Sequence, residues 1–225
     1  MIMFKTNIDT HCSKLKRDQI QAVNTYRCRL EANQSNYEKF NDLIFEGWAA
    51  DMLQLNGFRV TFRESPDLSI RHSAVQFFAE VKHFRTKEQD RIDQENMNRS
   101  RERLVTIGDT SATEGLPAWE QVVAVCKRKI PQYIEDVPNI LIIGSSSGHC
   151  IDDAIMPTAI NVLGECIQRG NNEGLMKLNG LMLLSFDYNI SQKRSVYFFP
   201  IHTSHITFSQ ETLDALHAIR QWKAF

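Results

Sequence analysis

The chain lacks most of the features that assign a protein to a special class. No apolar run approaches the roughly 18–20 residues of a membrane-spanning helix, so no membrane partner is expected. The five cysteines are scattered and form no CxxC pair. That excludes a disulfide framework or a compact zinc site and points to reduced thiols. The stretch Met1-Ile2-Met3-Phe4-Lys5-Thr6-Asn7 has no signal-peptide core, so a cytoplasmic location is expected. Neither charge is in excess: 26 Lys and Arg against 27 Asp and Glu leave a net charge of −1. A protein that coats nucleic acid would be basic. Any phosphate contact must therefore come from local patches: Lys14-Leu15-Lys16-Arg17 with Arg27 and Arg29, Arg99 to Arg103, or Lys127-Arg128-Lys129. Each patch also reads as a solvated helix face. No internal repeat or low-complexity segment is present.

What is present is an ordinary globular composition, 42% hydrophobic and 24% charged over 225 residues. That length is enough to bury a core without disulfides. Residues 9–35 are polar with a thin apolar stripe (Leu15, Ile20, Val23, Leu30) and predict helix, set apart as an N-terminal helical appendage over residues 1–36. Tyr37 to Leu55 is strongly amphipathic, with Asn56-Gly57 placed to end it. Strands are predicted at Phe58–Phe62, Pro66–Arg71 and Val75–Phe84, the last two joined by a hairpin turn. Lys87 to Thr110 reads as partly helical, and Asp109 to Gly115 as a break. A helix from Pro117 to Tyr133 precedes the apolar run Asn139–Ile143, which suits a strand buried on both faces. A helix at Asp152–Gln168, strands at Gly180–Phe186 and Val196–Ile201, and a helix at Ser209–Trp222 complete the order. This predicts an α/β domain with a mixed sheet.

Three charged residues interrupt the apolar strands: Asp67 after Pro66, and Glu80 and Lys82 in Phe77-Phe78-Ala79-Glu80-Val81-Lys82. Such groups are rarely buried unless paired or bound to a metal. Strand alternation puts Glu80 and Lys82 on one face, and a paired neighbouring strand can bring Asp67 to the same point. Two carboxylates about 4 Å apart repel by roughly 4 kcal/mol at an effective dielectric of 20. Mg²⁺ or Mn²⁺ relieves this, because hard cations prefer oxygen ligands.

The Pro-Asp followed by Glu-x-Lys resembles the signature of the PD-(D/E)xK nuclease superfamily. It is the only Pro-Asp and the only D/E-x-K in the chain. The resemblance covers roughly residues 37–145. It implies a restriction-endonuclease-like α/β fold over residues 37–225, a three-layer core with a central mixed sheet flanked by helices. It implies a metal-dependent endonuclease acting on DNA, with Mg²⁺ or Mn²⁺ held by Asp67, Glu80 and the Val81 carbonyl, and Lys82 positioning the attacking water. Members commonly carry an acid on the helix before the first core strand, here Glu46. Many carry a polar or basic phosphate contact on the helix after the motif strand, for which Gln121, Lys127, Lys129 and Gln132 compete. Restriction-type enzymes often act as dimers, so a homodimer or partner subunit is a candidate partner. The pathway (restriction, repair or phage defence) stays open.

Two other readings compete. The same fold can serve as a catalytically inactive module that holds nucleic acid or a protein partner. Gly144-Ser145-Ser146-Ser147-Gly148 matches the G-x-S-x-G of a nucleophile elbow. With Asp187 and His202 or His205, it gives a serine hydrolase reading through Ser146. Against it, His149-Cys150-Ile151 separates the motif from the next helix, and Ser-Gly loops are common turns. His149, Cys150, His202 and His205 fit no compact zinc spacing. His83 is expected to face away from Lys82.

Overall fold

The computed structural model of the chain describes residues 7–84, 117–145, 153–170, 173–186, 194–202 and 206–221. Two N-terminal helices, α1 (Ile8–Arg17) and α2 (Val23–Ala32), lead into the long α3 (Tyr37–Leu55). Three antiparallel strands follow: β1 (Arg59–Phe62), β2 (Leu68–His72) and β3 (Val75–Phe84). Then come α4 (Ala118–Arg128), β4 (Asn139–Ser145), α5 (Met156–Gln168), β5 (Leu178–Phe186), β6 (Arg194–Pro200) and α6 (Gln210–Ala218). The six strands form one sheet in sequence order, with β3–β4 and β4–β5 parallel and the remaining pairs antiparallel.

Each sheet face buries its own set of apolar side chains. Val60, Leu68, Ile70, Phe77, Ala79, Ile140 and Ile142 pack with α1, α2, α3 and α6. Leu141, Ile143, Leu181 and Leu183 pack with α4 and α5 on the other side. The result is a mixed open sheet between helical layers, the α/β architecture expected from the element order. Of the inner strands, β4 and β5 are apolar on both faces, as a strand covered twice must be.

The N-terminal segment is two helices because the chain turns between them. Gln19 and Ala22 take left-handed backbone, with φ of 63° and 57°. Gln21 bridges to Thr61 beside β1. Ile8, Cys12, Leu15, Val23, Tyr26 and Leu30 are buried in the same core as α3. Tyr26 Oη donates to the Leu43 carbonyl at 2.6 Å and lies 3.0 Å from His11 Nε2. Gly57 takes φ +90° just past α3, the backbone expected of it.

Gly144 lies within β4, and a Cβ there would overlap the ring of Phe45 on α3. This contact fixes how closely α3 approaches the sheet. Gly144→Ala is expected to cost about 1–3 kcal/mol through overpacking, read as a lower urea midpoint at unchanged slope.

The predicted strand at Pro66–Arg71 begins later than expected, at Leu68. Pro66 and Asp67 sit in the β1–β2 connection, where Arg63 N–H donates to the Asp67 carbonyl at 2.9 Å. Lys87–Thr110, Asp109–Gly115, Ser146–Gly148, His149, Cys150, Asp187, His205 and Trp222 lie outside the described residues.

Candidate functional site

The site arises from a mismatch in strand length. β3 has ten residues and β2 has five. Pairing between them ends at Leu68 and Ala79, so Glu80 to Phe84 run past β2 with one edge uncovered. The first backbone donor on that edge, Val81 N–H, is met by Asp67 Oδ2 at 2.9 Å. The Asp67 side chain thus continues the ladder where the strand stops, and it is held at the mouth of a notch.

A cavity of about 240 Å³ occupies the notch. Arg29, Asp42, Glu46, Asp67, Lys82 and Lys129 are among the residues that line it. Because the edge is open, side chains from both sheet faces reach it. Glu80 and Lys82 share the face of α4, as strand alternation requires. His83 belongs to the α3 face, where its ring stacks on Phe45 at 5.0 Å. It nevertheless lines the same cavity, with Nδ1 3.7 Å from Asp42 Oδ1. The expectation that His83 faces away from Lys82 holds for the strand but not for the notch.

Two buried acids, Glu46 and Glu80, and the half-buried Asp67 gather here, each with a basic neighbour. Glu46 on α3 is 4% exposed. Both of its oxygens accept from Arg29 of α2, at 2.8 and 2.9 Å. Arg29 also donates to the Arg63 carbonyl at 3.0 Å and lies 3.8 Å from Asp67 Oδ1. Glu80 is 2% exposed and sits behind the cavity wall. Its Oε2 accepts from Lys129 Nζ at 2.7 Å. Lys129 is the C-cap of α4, where the negative helix end favours a cation. Burial and then Asp67 push Glu46 up to about 8, against Arg29. Burial and Asp67 likewise push Glu80 up to about 7, against Lys129. Burial raises Asp67 as well, opposed by the Val81 N–H, Lys129 and Arg29.

These shifts set a sign for pH dependence. The unfolded glutamates titrate near 4.5 and the folded ones near 7 and 8. Between those values the folded chain binds more protons, so stability falls as pH rises. In chelator, melts from about pH 4.5 to 8 are expected to show that decline. Glu80→Gln should flatten its part of the slope, below about pH 7.

The structure brings Glu46, Asp67, Glu80, Val81, Lys82 and Lys129 to one place. Gln121, Lys127 and Gln132, the other phosphate-contact candidates, do not line the cavity. The residue that sequence reasoning did not place here is Arg29. Its neighbour Arg27 turns outward to Asp9 and Glu31, and nothing local distinguishes the two. The elbow reading through Ser146 gains nothing from Gly144, which serves packing against Phe45. His202 is exposed after β6.

The donors at Asp67 and Glu80 are hard oxygens in an acid-rich buried setting, which suits Mg²⁺ or Mn²⁺. Among the described residues, no group of three or more His, Cys, Asp or Glu is gathered to cage a metal. Mg²⁺ ordinarily takes one or two carboxylates and keeps its waters, so two suffice. Glu46 is committed to Arg29 and supports the site from behind. No helix among the described residues is long and apolar enough to cross a membrane. Compared with protein-family models, curated proteins and solved structures, the chain matches none.

Proposed function

We propose that the chain is a metal-dependent nuclease that hydrolyses DNA phosphodiester bonds in the notch beside β3. The observation that carries this reading is the convergence of Asp67, Glu80 and Lys82, with Lys129, at one strand edge. The order helix, three antiparallel strands, helix, parallel strand agrees with the resemblance to the PD-(D/E)xK superfamily.

Asp67 and Glu80 would hold Mg²⁺ or Mn²⁺, with the Val81 carbonyl as a further oxygen. When bound, such an ion supplies Lewis acidity and a more acidic water. The residues of the chain do the rest. Lys82 lines the cavity on the Glu80 side; there its ammonium orients the attacking water and offsets charge on the phosphoryl oxygens. Lys129 opposes the rise that burial and Asp67 impose on Glu80. Arg29 opposes it at Glu46, and the pair keeps the back wall fixed.

Plasmid DNA incubated with Mg²⁺ or Mn²⁺ tests this. Wild type is expected to nick or cut it, and Asp67→Ala to lose that activity while folding normally. Full activity in folded Asp67→Ala would overturn the assignment. The same fold acting only as a binding module predicts no cleavage by wild type and no Mn²⁺ binding.

A further inference from the structure

The far end of the β1–β2 hairpin carries a second charged surface. Arg59 lies directly opposite Arg71, Thr61 opposite Ser69, and Arg71 opposite Gln76. Cross-strand partners share a face, and this is the face that also bears Glu80 and Lys82. Where it runs over β4 and β5, α4 and α5 cover it. Over β1 and β2 it stays open: Arg59, Arg71 and Gln76 are exposed, and Thr61 and Ser69 are half-buried. Arg63 completes the row, its guanidinium 4.8 Å from the centre of the Phe78 ring.

Like charges directly opposite one another destabilise a sheet. Among the described residues, no ion pair to a carboxylate offsets Arg59 or Arg71. The two arginines, with Gly57 and Ser73, instead bound a cavity of about 270 Å³. The nearby acid is Glu211, which accepts from Ser73 Oγ at 2.6 Å. Among the described residues, two guanidiniums against one carboxylate leave this cavity cationic in a chain whose net charge is −1.

We propose that the Arg59/Arg71 cavity binds a backbone phosphate of the DNA strand that the notch cleaves. The proposal rests on the nuclease reading for its direction along the sheet. Four residue steps along the chain separate Arg71 on β2 from Asp67 just before it, about 13 Å of extended chain. A DNA strand covers that distance in a few nucleotides. The strand therefore runs from the arginine pair, past Arg63, to Asp67 and Lys82. The guanidiniums of Arg59, Arg71 and Arg63 and the Ser69 hydroxyl, which accepts from Gln76, lie along this path, and guanidinium and hydroxyl groups hold nucleic-acid backbones. An acidic peptide would satisfy the arginines but has no reason to lead into an acid-rich notch.

The test is anisotropy of a labelled DNA oligonucleotide with the full chain in EDTA, over a salt series. Arg59→Ser/Arg71→Ser is expected to weaken binding at least about 10-fold near 0.1 M salt and to make the salt slope shallower by about 1–2. Arg59→Lys/Arg71→Lys should keep the slope. Calorimetric Mn²⁺ binding should be the same in all three proteins. If the folded serine variant keeps wild-type affinity and slope, or wild type binds no DNA, the proposal is overturned. If wild type binds DNA through these arginines yet neither binds Mn²⁺ nor cuts, the surface stands and the nuclease reading fails. If wild type cuts and the serine variant cuts with unchanged KM and affinity, the nuclease reading stands and the surface fails.

Discussion

Lys82→Ala is expected to slow DNA cleavage by about 10²- to 10⁴-fold, the range that a positioned proton-transfer group supplies. Lys82 shares its strand face with Glu80 and lines the cavity that Asp67 closes. The proposed role is at the reacting phosphate, so the loss should fall on kcat. DNA affinity in EDTA should change by less than about 3-fold, since other cations carry the backbone. Lys129 cannot stand in for it, because Glu80 Oε2 holds the Lys129 ammonium at 2.7 Å. Lys82→Arg keeps the charge but replaces a compact ammonium with a planar group of much higher pKa. It should remain severely impaired. Single-turnover cleavage with Mn²⁺ reads all of this, and a folded Lys82→Ala protein with wild-type kcat would remove the residue from the chemistry.

Arg29→Ala is expected to be the most destabilising single change at the site, by about 3 kcal/mol near pH 9. The substitution strips Glu46 of both its hydrogen bonds and leaves the Arg63 carbonyl without this donor. Buried pairs broken on one side cost more than they contribute when intact, because a charge is left behind. Glu46 can escape by taking a proton. Burial and Asp67 already hold it near 8, and loss of Arg29 pushes it further up. The protonated carboxyl is tolerated, so the cost should shrink as pH falls toward about 5. Glu46→Gln should be milder, since the amide oxygen still accepts from Arg29. The double variant Arg29→Ala/Glu46→Gln should lose less than the sum of the two singles, as expected for residues in direct contact. Urea melts at high and low pH measure each quantity. Additive effects with no pH dependence would show that the pair is not coupled.

Much of this arrangement could be read from local pattern. Alternation alone puts Glu80 and Lys82 on one face, and the resemblance picks out Glu46 on the helix before the first core strand. Asn139–Ile143 reads as an inner strand because both faces are apolar. What escaped were features set by pairing register and chain return. The five-residue overhang of β3 past β2 cannot be seen in either strand by itself, yet it brings His83 and Lys82 to one notch. Asp67 was expected on a strand; it sits just before one, where its side chain replaces the missing ladder acceptor. Arg29 reaches Glu46 only because the α1–α2 pair folds onto α3, a tertiary event with no local signal. Arg59 and Arg71 are twelve residues apart and meet only through the β1–β2 register.

The central claim is that Asp67 and Glu80 hold a divalent ion at the strand edge. Mn²⁺ titration by calorimetry at about pH 8, where Glu80 is mostly ionised, tests it most directly, comparing wild type with Asp67→Ala and Glu80→Gln. Saturable one-to-one binding by wild type, lost in both variants, is the predicted result. No binding by wild type, or unchanged binding in folded variants, would contradict it.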